Sequence, residues 1–218
     1  MTVGLVSLGC AKNAADLEVR LGRMLSEGWT LSSTPDSCDT LVVNTCAFIE
    51  SAREEAEAEI LRALEIKRAG GFGQVIVTGC YPQRYPERES LFPGVDGWHG
   101  VPGEWIEPKM PALRFTGKAF AYLKIAEGCA HRCSYCAIPL IRGKYRSRPF
   151  DDIIAECKRL AAEGVTEFML AGFSGENVVW QSGTYRIRID GKIEHIPGSE
   201  EETQLNDVQK LILFVNGE

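Results

Sequence analysis

Three cysteines stand close together near the middle of the chain, in the run Glu127-Gly-Cys-Ala-His-Arg-Cys-Ser-Tyr-Cys-Ala-Ile-Pro139. Their C-x3-C-x2-C spacing allows Cys129, Cys133 and Cys136 to bind three irons of a [4Fe–4S] cluster, which leaves the fourth iron open for chemistry. A zinc site is the competing interpretation, but closed zinc sites take four ligands and usually pair two C-x2-4-C motifs. No second pair lies nearby. The spacing therefore favours a cluster over zinc or an accidental grouping of cysteines.

Three further cysteines each follow a predicted strand by one to three residues. The strands are predicted at Val3–Ser7, Leu41–Asn44 and Val75–Thr78, and the cysteines are Cys10, Cys46 and Cys80. Carboxyl ends of parallel strands share one edge of a sheet, so these side chains are expected to converge in space. For any one of them, ordinary burial of a cysteine is an equally good explanation. Three equivalent positions favour a shared site.

Strands and helices alternate along the first hundred residues. Helices are predicted from about Ala14 to Glu27 and from about Ser51 to Ala69. The second helix has its acids early and its bases late, as the helix dipole favours. The alternation predicts an α/β domain with a parallel, helix-covered sheet.

The second part of the chain begins with a strand predicted at Ala121–Ile125, which presents the central triplet on the loop that follows it. A helix from Phe150 to about Ala162 and a strand at Thr166–Leu170 come next. This order of elements is how a (β/α) barrel begins, and such barrels place their chemistry on loops at the carboxyl ends of the strands.

Both sets of cysteines resemble motifs of one enzyme family. The central triplet, with Tyr135 directly before its last cysteine, resembles the signature of radical S-adenosylmethionine (SAM) enzymes. Its flanks resemble those of the methylthiotransferases, which carry a second cluster on a flavodoxin-like N-terminal domain. The flanking runs are Ile138-Pro139, Arg142-Gly143 and Arg146-Ser147-Arg148. The runs that match the second cluster's ligands are Ser7-Leu-Gly-Cys10, Val43-Asn-Thr-Cys46 and Thr78-Gly-Cys80.

The resemblance implies an enzyme with two [4Fe–4S] clusters and SAM as cofactors. Cys129, Cys133 and Cys136 would be catalytic, because their cluster would cleave SAM and generate a radical that abstracts hydrogen from an unactivated carbon. The cluster on Cys10, Cys46 and Cys80 would supply sulfur, and a second SAM would supply the methyl group. A reductant such as flavodoxin or ferredoxin is the implied electron donor.

The substrate branch is indicated by a few loop residues. Ala11-Lys12-Asn13 after the first cysteine, and the run from Ala137 to Arg148, look like the RimO branch, which modifies an aspartyl residue of small-subunit ribosomal protein number twelve. The alternative branch acts on a modified adenosine of tRNA and typically has Gln-Met-Asn at the first of these positions. The ribosomal protein is therefore the expected partner, with tRNA as the alternative.

The segment Cys129–Phe150 is basic, in a chain whose formal net charge is −6. It contains five basic residues and no acid, and such a patch could hold the SAM carboxylate, a phosphate backbone or an acidic protein. We expect Arg142 and Arg146 to contact the cofactor and, by resemblance, Tyr135 to lie near the adenine of SAM. A solvated charged face and simple aromatic packing are the ordinary alternatives.

Composition excludes several other classes of protein. Eight cysteines would suggest disulfides in a secreted chain, but the N-terminus has no signal-peptide pattern. No stretch approaches the roughly 18 apolar residues of a membrane span. A cytoplasmic protein without membrane contact is therefore expected, because cysteines in a reducing compartment more often bind metal or catalyse reactions.

Three segments are predicted. Residues 1–106 form a cluster-binding domain, residues 118–172 a partial radical SAM domain, and residues 173–218 an unassigned tail, with a Pro- and Gly-rich boundary near Pro102–Pro111. The resemblance covers about residues 3–171. Residues 118–218 are far fewer than the roughly 250 of a closed eight-stranded barrel chain, so an incomplete barrel is expected.

The tail has its own pattern. Tyr185–Ile196 alternates apolar and polar residues around Asp190-Gly191, which predicts a β-hairpin, and Glu200–Glu202 and Leu211–Val215 follow. This tail could be a replacement segment, a neighbouring sequence joined by a reading-frame accident, or a variant ending. Two hypotheses follow for the whole chain: a methylthiotransferase, or a non-catalytic remnant of that family that holds iron–sulfur clusters.

Overall fold

The structure is a computed structural model of the 218-residue chain. It describes residues 1–35, 37–102, 114, 117, 120–129, 131, 133–171, 185–188 and 193–195. The chain divides into two compact units, and the change from the first to the second falls between residues 102 and 114, outside the described part. The predicted Pro- and Gly-rich boundary lies almost wholly in that undescribed stretch.

The first unit is a five-stranded sheet with helices between its strands. Its strands are β1 (Thr2–Ser7), β2 (Thr30–Leu31), β3 (Cys38–Thr45), β4 (Phe72–Gly79) and β5 (Gly97–His99), and its helices are α1 (Ala11–Ser26), α2 (Glu50–Arg68) and α3 (Cys80–Arg84), with a 3-10 helix at Pro86–Leu91. The strand order is β2-β1-β3-β4-β5, and every pairing is parallel. This is the flavodoxin-like order. The predicted parallel, flavodoxin-like sheet is confirmed.

Helix α1 begins three residues earlier than the sequence predicts. Cys10 has extended backbone angles, and its carbonyl accepts a hydrogen bond from the Ala14 N–H at 3.0 Å, which makes Cys10 the N-cap. The apolar face of α1 packs on the sheet through Leu17 and Leu21, which are buried with Val3 and Val42. The early start of the helix brings its first turn directly beneath the edge of the sheet where β1 ends.

The second unit begins with strand β6 (Ala121–Lys124) and contains one complete strand–helix–strand repeat. Its further elements are β7 (Ala126–Glu127), α4 (Ile138–Arg142), β8 (Arg146–Ser147), α5 (Phe150–Ala162) and β9 (Glu167–Ala171). Strands β6 and β9 pair in parallel, and α5 crosses between them. Leu123, Ile154, Leu160 and Phe168 form the centre of the apolar core between that helix and the strands. The predicted start of a (β/α) unit is present.

Strands β10 (Tyr185–Arg188) and β11 (Ile193–His195) extend this sheet to the order β11-β10-β9-β6. The two strands pair antiparallel, as the alternating pattern of the tail predicts. Strand β10 also pairs antiparallel with β9, so the sheet becomes mixed at this point instead of continuing as a parallel barrel sheet. The hairpin turn at Asp190-Gly191, and the segments Glu200–Glu202 and Leu211–Val215, lie outside the described residues.

Cys38 and Cys157 belong to neither triplet. Cys38 is the first residue of β3, and its buried thiol donates to the Pro35 carbonyl at 3.4 Å. Cys157 lies in the apolar core of the second unit, which agrees with a packing role. No helix in the described part of the chain has the length and apolar character needed to cross a membrane.

Candidate metal centres

Cys10, Cys46 and Cys80 lie at one edge of the first sheet. Cys46 directly follows β3, Cys80 directly follows β4, and Cys10 follows β1 by a short turn. In the register of the sheet Thr45 is opposite Gly79, so Cys46 and Cys80 leave adjacent strands at the same level. Strands β1 and β3 flank the topological switch point, where folds of this kind place their ligands.

The turn that carries Cys10 packs against Cys46. Its Leu8 N–H donates to the Asn44 carbonyl at 2.9 Å. A Cβ built at Gly9 would lie 3.0 Å from the Cys46 Cβ and 3.5 Å from its Sγ. Any larger residue at position 9 would therefore push against the Cys46 side chain.

Asn13, in the first turn of α1, connects the three cysteine-bearing segments. Its Nδ2 donates to the carbonyls of Leu8 (2.8 Å) and Thr45 (3.0 Å), and the Cys80 thiol lies 4.0 Å from its Oδ1. The side chain is completely buried. The sequence predicts no role for this residue beyond its place in the run Ser7-Leu-Gly-Cys10-Ala-Lys-Asn13 that resembles the family. The signal available was an amide one helical turn after a cysteine.

The three thiols differ in their exposure to solvent. Cys10 is exposed, Cys46 is half-buried and Cys80 is buried, and all three are free. The site is therefore open to solvent on the Cys10 side and closed on the Cys80 side. Free thiols at three strand ends fit a [4Fe–4S] cluster, whose irons each take a different cysteine.

No group of three or more His, Cys, Asp or Glu side chains in the described part of the chain has the geometry to bind a single metal ion.

The central triplet lies on a long loop that is closed at its base. Strands β7 and β8 pair antiparallel, with Glu127 opposite Arg146, and the Cys129 N–H donates to the Gly143 carbonyl at 3.2 Å. A turn within the loop is fixed by the Cys136 N–H, which donates to the Cys133 carbonyl at 3.1 Å. The three thiols are free and half-buried. The loop therefore holds the triplet at the end of the β6–β7 segment.

Tyr135 stands beside the thiols of this loop and is 90% exposed. The charge of Cys133, and a hydrogen bond with it, raise the pKa of the Tyr135 phenol above its ordinary value. An exposed ring beside the cysteines is free to stack on a flat ligand, which is compatible with the expected position near adenine.

Arg142 and Arg146 differ in their surroundings. The Arg142 side chain is buried, and its guanidinium lies 3.7 Å from the Glu127 carboxylate. Arg146 is exposed on β8. Arg148, another basic residue of the segment Cys129–Phe150, is also buried, and it forms an ion pair with Glu156. The basic patch is thus smaller than the sequence suggests, because two of its charges lie inside the unit.

A buried ion pair lies directly before the triplet. Lys124, at the end of β6, places its Nζ 2.5 Å from Glu127 Oε2, and both side chains are almost fully buried. Buried charges are tolerated only when paired, so Glu127 is held in place by Lys124 and Arg142. Sequence analysis missed this cluster, although two charges three residues apart beside a cysteine motif were visible.

Comparison with known proteins gives two family matches, one for each unit. Residues 2–100 match Uncharacterized protein family UPF0004, and residues 123–198 match the Radical SAM superfamily. The two matches lie in the same order as the two cysteine triplets.

Curated relatives are similar over most of this chain. The ribosomal protein uS12 methylthiotransferase RimO of Solibacter usitatus is 40% identical over 79% of this chain and 42% of its own length. The RimO proteins of Sulfurihydrogenibium sp. and Aquifex aeolicus are 40% and 42% identical, over 85% and 77% of this chain and 43% and 40% of their own lengths. The chain spans less than half the length of the curated relatives it matches.

Among solved structures, the radical S-adenosylmethionine methyltransferase TsrM from Kitasatospora setae has a TM-score of 0.46 and 15% identity, and the match covers 78% of this chain and 47% of TsrM. The sheet topology defines an α/β protein whose second unit matches the Radical SAM superfamily. Over most of its length the chain is similar to RimO-type methylthiotransferases. Radical SAM proteins use SAM and an iron–sulfur cluster, and the free cysteines described above are donors of the kind that such a cluster requires.

Proposed function

We propose that this chain is a radical SAM methylthiotransferase that modifies an aspartyl residue of ribosomal protein uS12. Cys129, Cys133 and Cys136 hold one [4Fe–4S] cluster, and Cys10, Cys46 and Cys80 hold a second. The proposal is supported chiefly by one observation, the presence of two separate sets of three free cysteines, each at the carboxyl end of strands. A set of three leaves one iron of each cluster available to a substrate.

The residues around each triplet have definable tasks. The short ladder of β7 and β8 holds the central loop, and Tyr135 and Arg146 are accessible beside it for contacts with SAM. Arg142, paired with Glu127, orients the base of that loop from the interior. When bound, the central cluster and SAM supply radical abstraction of hydrogen from an unactivated carbon. A reductant such as flavodoxin or ferredoxin provides the electron.

The first experiment is anaerobic reconstitution of the full chain with iron and sulfide. About eight irons per chain are expected, and replacing either set of cysteines with alanine should remove about four of them. Incubation with SAM, a strong reductant and uS12 should then give deoxyadenosine and a methylthio group on the aspartyl residue. An unmodified uS12 with both clusters present would contradict the proposed activity.

A second candidate function is a cluster-holding protein without turnover. The antiparallel pairing of β10 with β9 favours it, because a (β/α) barrel continues with parallel strands at this point. In this case the chain binds about eight irons but forms no deoxyadenosine from SAM. The tRNA alternative has less support, since Arg142 and Arg148 are buried and do not contribute to a phosphate-binding surface. Supplying tRNA in place of uS12 in the same assay separates the two substrates.

A further inference from the structure

The Asn13 amide lies where the segments carrying the three N-terminal cysteines meet. We propose that Asn13 is a positioning residue that sets the spacing of Cys10, Cys46 and Cys80 for cluster binding. This inference rests on the proposed function, because it takes those three cysteines as the ligands of one cluster. Asn13 itself does not contact iron in this proposal. It acts through the backbone carbonyls of Leu8 and Thr45, which its amide holds, and its Oδ1 lies beside Cys80.

The orientation of the amide follows from its hydrogen bonds. A primary amide has two N–H donors, and both are used here, on the carbonyls of Leu8 and Thr45. In the flipped amide the side-chain oxygen would face these two carbonyl oxygens, and acceptors repel one another. The hydrogen bonds therefore fix the orientation of the amide. Oδ1 consequently faces the other way, toward the Cys80 thiol at 4.0 Å.

Each of these contacts belongs to a different cysteine segment. Leu8 begins the turn that leads to Cys10, Thr45 is the residue before Cys46, and the third contact is Cys80 itself. The backbone of Asn13 is held as well, because Asn44 Nδ2 donates to the Asn13 backbone carbonyl at 3.1 Å. One buried side chain therefore ties together three segments that are more than thirty residues apart in sequence.

Asparagine is the side chain that fits these demands. Aspartate has the same size but cannot donate to the two carbonyls, and it would add a negative charge beside a thiolate. Glutamine keeps the donors but is longer by one methylene. The extra methylene would shift the amide away from the two carbonyls that it holds at 2.8 and 3.0 Å.

The test uses the full chain with Cys129, Cys133 and Cys136 replaced by alanine, so that bound iron reports the N-terminal site alone. With Asn13 intact, about four irons per chain are expected. Asn13→Asp should lose iron to a chelator at least about tenfold faster, as expected when a partner that orients metal ligands is removed. The electron paramagnetic resonance signal of the reduced cluster should change as well.

Thr40→Val is the matched control. Thr40 is a buried residue of the same strand pair, at the end away from the cysteines, and the change removes the hydrogen bond from Thr40 Oγ1 to Gln74 Oε1 (3.3 Å). Urea unfolding of each cluster-free variant gives its folded fraction, and iron release is compared at equal amounts of folded protein. Thr40→Val should release iron at the rate of the parent chain. If Asn13→Asp does the same, Asn13 is an ordinary buried residue and the inference is wrong.

Asn13→Ser provides a second arm should the aspartate variant not fold. Serine retains one donor, so it can serve only one of the two carbonyls, and iron loss intermediate between the parent and Asn13→Ala is expected. Equal retention of iron in the parent, Asn13→Ser and Asn13→Ala would overturn the inference. If the parent chain itself binds no iron at this site, the assignment of the three cysteines fails, a result that the parent alone reveals without any Asn13 variant.

Discussion

Gly128 lies directly against the backbone of Lys144. A Cβ built at position 128 would be 2.2 Å from the Lys144 carbonyl oxygen, and the residue has a φ of +71°. This close approach brings the two ends of the central cysteine loop together, one residue before Cys129. The loop can therefore close only with glycine at this position, and the geometry of the triplet depends on that closure.

Gly128→Ala is expected to remove the iron of the central site. The added methyl group clashes with backbone, which adds to a strain of about 1–3 kcal/mol from the positive φ alone. Gly70→Ala is the matched control, because Gly70 has a φ of +85° but no atom within 4 Å of a built Cβ, and it lies in the first unit, outside the loop. Reconstituted Gly128→Ala should hold about four irons and Gly70→Ala about eight. Equal iron content in the two variants would show that the loop closes in another way.

Arg84 fixes the segment that follows Cys46. Its guanidinium donates to the carbonyls of Ala47 at 2.5 Å and Phe48 at 3.3 Å. Arg84→Gln should destabilise the first unit by about 1–3 kcal/mol, as expected for the loss of charged hydrogen bonds to backbone, and should weaken iron retention at the N-terminal site. Urea unfolding and iron release to a chelator measure the two effects.

Arg62→Gln is the control for the Arg84 variant. Arg62 forms a surface ion pair with Glu59 at 3.0 Å on the same helix, and surface pairs contribute about 0–1 kcal/mol. Its removal should leave iron retention unchanged. If the Arg62 and Arg84 variants lose iron equally, the effect reflects charge and not the contacts of Arg84.

Asp96 predicts a pH dependence of stability in the first unit. Burial raises the pKa of its carboxyl, but hydrogen bonds from Lys67 and from the Val75 N–H outweigh burial, so that the pKa is lowered from its ordinary value. A lowered carboxyl pKa stabilises the fold above the unfolded-state pKa, and this contribution disappears as pH falls through the folded-state value.

The corresponding experiment compares wild type with Asp96→Asn by urea unfolding across the acid range. The wild type should be more stable at neutral pH, and the difference should shrink as the pH falls below the unfolded-state pKa, about 4, and through the lowered folded-state pKa. Asn cannot replace the ion pair with Lys67 at any pH. A difference that stays constant down to the lowest pH would contradict the assignment.

Cys10 and Cys157 should differ sharply in reactivity. Cys10 is exposed, whereas burial, followed by the charge of Glu156, raises the pKa of the Cys157 thiol to about 12. Only the thiolate reacts with alkylating agents. Iodoacetamide at mildly alkaline pH should therefore modify Cys10 in the folded, iron-free protein and leave Cys157 intact, as read by peptide mass spectrometry.

Two controls accompany this experiment. In urea all eight cysteines should react, since burial no longer protects Cys157. In reconstituted protein Cys10 should become protected if it binds iron. Continued rapid modification of Cys10 in iron-loaded protein would exclude it from the cluster.

The sequence allowed the first unit to be predicted well because its signals are local. Buried strands such as β3 and β4 are runs of apolar and β-branched residues, and the charges of α2 follow the helix dipole. The sequence predicts the start of α1 three residues too late, because the N-cap is a cysteine whose side chain makes no capping hydrogen bond. Nothing in the sequence near Cys10 resembles a usual helix start.

Contacts between distant segments escaped prediction. The position of Asn13 between Thr45 and Cys80 depends on the order of the strands and on their register, which decides which turns become neighbours. The burial of Arg142 depends on Glu127 lying at the base of the same loop. From sequence alone this arginine is indistinguishable from an exposed one, since charge and spacing do not report burial.

The types and spacing of the cysteines by themselves determined the kind of chemistry this protein could carry, because thiolate identity and short-range geometry are written directly in the chain. Only the tertiary structure decided how the turns of β1, β3 and β4 meet around one buried amide, and that β10 runs antiparallel to β9. The physical reason is that strand order and register are set by long-range packing and hydrogen bonding, which no local run of residues specifies.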